Sequence, residues 1–150
     1  MPGALQVAAA SSVAVTTALI LVMDWVPTGL NRNIAGMDVR ERIPGSVVHA
    51  VTGLAFVTAN LLAWWWAAAL AGVWYTVVLV QAVRNWWVPY LVGSPYAEVT
   101  PEDFRTHYAA NPSVLPPVRD HVVVPDVQHL LIHTAVLVTA VLSWLSAATA

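Results

Sequence analysis

Asp126, His129 and His133 open the apolar run VPDVQHLLIHTAVLV and include two of the chain's five histidines. Residues at i, i+3 and i+7 of a helix fall within about 60° of one another. The three polar groups therefore form one stripe at the start of a greasy helix. A carboxylate beside an imidazole can orient a general base near neutral pH. Imidazoles at i and i+4 can also hold one metal ion, as in H-x-x-x-H zinc sites.

A second set has the same character. His49, Gly53, Phe56 and Asn60 share one face of a helix, and Gln81, Arg84 and Asn85 are spaced to share another. Asp24 ends the first uncharged stretch. With His49 as a third nitrogen ligand, and Asp126 or Asp24 as an oxygen ligand or orienting carboxylate, the set suits zinc, iron or copper. His49 and His133 could instead clamp a haem as axial ligands. Without a metal, His49 with Asp24 supplies acid–base chemistry, and Arg84 and Asn85 supply an oxyanion or carbonyl site. Simpler roles compete with these. Asp126 is a good helix N-cap, Arg84 can reach back to lipid headgroups, and His107 and His121 are read as solvated loop residues.

Two absences limit the chemistry. The chain has no cysteine and no lysine. Thiolate chemistry, cysteine-ligated metals and Schiff-base chemistry are excluded. H-x-x-x-H resembles one fragment of the histidine boxes of membrane di-iron hydroxylases and desaturases, but those enzymes need more such boxes than five histidines can fill.

The elements that position these residues follow from composition. Of 150 residues, 59% are hydrophobic and 9% charged, against about 25% charged in soluble domains. The net charge of −2 offers no basic surface for nucleic acid. A membrane helix needs about 20 apolar residues. The stretch from Ala4 to Met23 supplies the first, without the basic leader of a signal peptide. Ile43 to Val83 carries no charge, and as one helix would be about 62 Å long, twice the bilayer core. It must fold into two spans, with a turn at Trp64-Trp65-Trp66 and Pro44 in the first turn of the earlier one. The expected spans are therefore about 4–23, 44–66, 69–87 and 127–146, all within a single transmembrane domain covering residues 1–150.

In the proline-rich connection, Thr100-Pro101-Glu102-Asp103 predicts a short helix over Pro101–Ala109. Every charged side chain lies between Asp24 and Asp126; spans one and two enclose Arg32, Arg40 and Arg42, and spans three and four enclose Arg105 and Arg119, with Arg84 at the rim. The positive-inside rule puts both connections in the cytoplasm and both termini outside.

The expected architecture is an all-α, integral membrane, antiparallel four-helix bundle with a long cytoplasmic loop. Asp24, His49, Arg84, Asn85, Asp126, His129 and His133 meet at its cytoplasmic mouth. Three functions fit this layout: a metal- or haem-dependent membrane enzyme on a lipid-soluble substrate, a metal-free isomerase, cyclase or hydrolase on such a substrate, and a non-catalytic subunit of a transport or respiratory complex. Membrane lipid and a lipid-soluble small molecule are the expected partners, with a second copy or a membrane complex under the subunit reading.

Overall fold

A computed structural model of the protein describes residues 2–93 and 99–149, and among these there is helix but no strand. Four helices are long and apolar enough to cross a membrane: α1 (Ala4–Trp25), α2 (Val39–Leu61), α3 (Trp65–Val92) and α4 (Val127–Ala148).

Their limits have local causes. α1 ends where Pro27 pushes Val26 into extended backbone, at φ −103° and ψ 115°. α2 starts at Val39, earlier than the expected Pro44, because the Asp38 side chain accepts the Arg40 N–H and caps the helix there. Pro44 consequently sits inside α2. The turn into α3 also comes earlier than expected, at Leu62 to Trp64. Ala63 takes the left-handed conformation there, at φ +55°. The Leu62, Ala63 and Trp64 N–H groups bond to the carbonyls of Thr58, Asn60 and Ala59. Trp64 stacks on Trp66, with ring centroids 5.6 Å apart.

α3 does not stop at Trp87. A π-helical turn, Val83–Trp87, carries it on to Val92, and Gly93 closes it at φ +71°. In that turn the Val88 N–H bonds back to the Val83 carbonyl. The wider turn makes room for the Pro89 ring, which would otherwise press on the preceding turn. The short helix expected in the long connection is present. It starts at Pro101–Asp103 and widens into a π turn at Phe104–Tyr108, behind a reciprocal cap between Thr100 and Asp103.

α4 packs most extensively on α3 and also on α1, α1 packs on α2, and α2 and α3 touch far less. Val13, Tyr75, Val136 and Ala140 form the central core. Two glycines allow close approach. A Cβ at Gly53 would collide with the Thr17 side chain, and one at Gly72 would lie 2.8 Å from the Trp144 ring. Hydrogen bonds join the helices at Thr16 and Thr139 (2.8 Å), Ser146 and Asn60 (3.2 Å), and Trp144 and Thr76 (3.1 Å).

Candidate functional site

The ionisable residues gather where the end of α1, the start of α2, the last third of α3 and the start of α4 surround a cavity of about 310 Å³. Asp24, His49, Gln81, Asn85, Gln128, His129 and His133 all line it, with Trp86 and Tyr108 closing one side. The volume falls at the lower end of the range for small-molecule pockets, about 300–1,000 Å³.

The most ordered part is built around Asp126. As α4's N-cap, it accepts the His129 backbone N–H at 2.9 Å. The same oxygen lies 2.8 Å from His129 Nδ1, and Asn111 donates to the other at 2.7 Å. Asn111 also donates to Asn33 Oδ1 at 3.0 Å and accepts the Asn33 backbone N–H at 3.1 Å. Burial works to raise the Asp126 carboxyl, but the hydrogen bonds and charge of His129, with the Asn111 bond, outweigh it and hold the group below its ordinary 3.8. An ionised Asp126 requires the hydrogen on His129 Nδ1, so in the neutral form of the ring the Nε2 lone pair is the acceptor. The His129 ring stacks on Trp86, with centroids 3.5 Å apart, and meets the Tyr108 ring edge-on at 5.4 Å. Burial, and then the charges of Asp126, Asp103 and Asp24, push the Tyr108 phenol up, so it stays a neutral hydroxyl.

His133, one turn along, is buried, and its ring centroid is 5.7 Å from that of His129. Its environment is the reverse. The Trp87 indole N–H donates to His133 Nδ1 at 3.1 Å. Indole is a donor only, so Nδ1 is an acceptor and the proton of the neutral ring sits on Nε2. The two adjacent histidines are thus set in opposite tautomers, one offering a lone pair and the other an N–H.

Other expected residues are placed differently. Asp24 lines the cavity, takes a hydrogen bond from Ser46 at 2.9 Å, and holds Arg42 through its backbone carbonyl at 2.8 Å. His49 lies across from α4 and edge-on to Trp74, at 6.5 Å. Asn85 is in the cavity wall. Asp126 stands behind His129, outside the lining. Arg84 does not join the others. It is exposed in a separate apolar groove with Leu79, Val80, Val83 and Val88. Asn85 stays in the cavity wall with Gln81, whereas Arg84, beside it in the π turn, lies on the outer flank.

The geometry gives the metal reading no support. Among the described residues no group of three His, Asp or Glu side chains could hold a metal ion. A metal-bound histidine normally donates from its other nitrogen to an acceptor. His133 instead receives a hydrogen bond at Nδ1, and Nε2 carries its proton. The same bond opposes His133 as an axial haem ligand. Asp126 is turned to His129 and Asn111 and serves as an orienting group.

Several site residues escaped the sequence reading. Gln128 is buried, lines the cavity, and its Oε1 has no hydrogen-bond partner. Asn111, Trp86 and Trp87 carry no sequence signal for this role. Their contacts to α4 are long in sequence and follow no period. Comparison of the chain with protein-family models, curated proteins and solved structures finds no match.

Proposed function

We propose that the chain is an integral membrane enzyme that carries out metal-free acid–base chemistry on a lipid-soluble substrate, in the pocket at the cytoplasmic end of an antiparallel four-helix bundle. The observation that carries this reading is the pair of opposed imidazoles, His129 oriented by Asp126 and His133 oriented by Trp87. The many large apolar side chains exposed on the outer helix faces, including Leu54, Leu70 and Leu137, support a lipid environment. The charge pattern supports placing both charged connections in the cytoplasm.

His129 Nε2 takes a proton from the substrate. Asp126 stabilises the resulting imidazolium, and the Trp86 face against which the ring stacks adds a cation–π attraction. The His133 Nε2–H, on a buried ring, donates to the oxygen on which negative charge develops. Returning the proton to another atom of the same molecule completes an isomerisation, which balances with no further reactant. Gln128 Oε1 is a waiting acceptor for a substrate hydroxyl or N–H.

The test compares lipid extracts incubated with membranes holding the wild type, His129→Gln or His133→Gln. The wild type is expected to convert one lipid-soluble species to another of equal mass. His129→Gln should slow this by about 10²–10⁴-fold, and His133→Gln by about 10²–10³-fold. Identical extracts from all three would overturn the reading.

A further inference from the structure

The polar cavity is continued by a second space of about 450 Å³, between α2 and α3. His49, Val78 and Gln81 belong to both walls. The rest of the second lining is Pro44, Gly45, Val48, Trp74 and Val77, almost wholly apolar. It lies where α2 and α3 touch far less than the other neighbouring helices. Gly45 leaves one rim bare, since a Cβ there would meet nothing within 4 Å. Val48 and Val77, which belong to the same lining, are exposed on the outer surface. An apolar groove that meets two polar side chains, His49 and Gln81, where it joins the polar cavity matches a molecule with a chain and a polar head.

We propose that the gap between α2 and α3 is a side entrance from the bilayer, and that one hydrocarbon chain of an amphipathic lipid lies in it with its polar head in the cavity beyond His49 and Gln81. This rests on the reading of the pocket as a site for a lipid-soluble substrate, and it adds the route and the amphipathic class. The chain remains partly in the bilayer, so only the head must leave lipid for the polar cavity. The head then meets His49 and Gln81 at the threshold before it reaches His129 and His133.

The probe is a saturated long-chain alcohol with a diazirine at mid-chain, added to the full chain in phosphatidylcholine nanodiscs. Light-induced cross-links are located by peptide mass spectrometry. In the wild type they are expected to concentrate on Val48, Trp74 and Val77. Gly45→Phe fills the rim where there is open space, and phenylalanine is a better helix former than glycine, so the fold is retained. Filling the groove should exclude the chain sterically and lower labelling there to the level of exposed positions outside it. Val51→Phe, at an exposed position outside the groove, should leave it unchanged. Labelling spread evenly over exposed positions such as Leu54, Leu70 and Leu137, or unaltered by Gly45→Phe, would overturn the proposal.

His129→Gln separates this proposal from the enzymatic one. It should slow conversion as stated above while keeping the groove labelled. Conversion that depends on His129 without labelling of the groove sinks the entrance alone. A labelled groove without any such conversion sinks the enzyme reading and leaves the entrance standing.

Discussion

At the scale of single residues, what distinguishes this site is that two histidines a turn apart are given opposite roles by their partners. Asp126 fixes His129 as an acceptor and Trp87 fixes His133 as a donor. Trp87→Phe removes the indole N–H while keeping most of the ring. Turnover should fall about 10-fold or more, as expected when an orienting hydrogen bond is lost. Equal rates in the mutant would show that the Trp87 bond has no part in setting His133. Asp126 also sets a pH dependence. Its carboxyl is held below 3.8 in the folded chain, so the folded state releases that proton more readily than the unfolded one. The stabilisation is fully present above about pH 4 and is lost as pH falls through the lower folded value. Asp126→Asn keeps a good N-cap and loses the charge. Thermal melts in detergent at about pH 6 and about pH 3 should show a wild-type loss of stability, much reduced in the mutant. Equal losses would contradict this assignment of Asp126. The Asp126, His129 and His133 stripe was legible in the sequence because helical spacing is local. Gln128 was not, since adjacency to a histidine does not reveal which way an amide points.

At the scale of elements, the uncharged runs sufficed to find the helices, while their ends depended on single capping residues. Asp38 moved the start of α2 back from Pro44, and the π turn at Val83–Trp87 carried α3 past its expected end at Trp87. The turn between α2 and α3 holds Ala63 at φ +55°, a conformation natural to glycine. Ala63→Gly is therefore expected to stabilise the protein by up to about 1 kcal/mol, read as a higher unfolding midpoint in detergent. A lower midpoint would mean that the turn is not left-handed. Gly72→Ala has the opposite sign, because its Cβ would press into Trp144. A loss of about 1–3 kcal/mol is expected from such overpacking. A mutant as stable as the wild type would contradict the close α3–α4 approach.

At the scale of the whole molecule, the side chains that complete the site come from both connections, and this was the least legible part of the sequence. Asn33 and Asn111 are 78 residues apart, yet they meet in one hydrogen-bonded group behind Asp126. No periodic pattern reports such a meeting. Arg84 shows the reverse error: spacing along α3 suggested a shared face, and the packed helix turns it outward to lie in a separate groove. The proposed orientation is open to direct test because the chain has no cysteine. Arg119→Cys should react with an impermeant maleimide only from the cytoplasmic side, and Thr149→Cys only from the outside. The reverse pattern would invert the topology, and labelling of both from one side would rule out α4 as a single span between them.

The most direct test of the central claim is the nitrogen-15 NMR spectrum of ring-labelled histidine in detergent at neutral pH, assigned with His129→Gln and His133→Gln. The expected result is a hydrogen on Nδ1 of His129, toward Asp126, and in His133 a hydrogen-free Nδ1 facing Trp87 with the hydrogen on Nε2. The same tautomer in both rings would contradict the opposed pair and remove the basis for dividing acid and base roles between them.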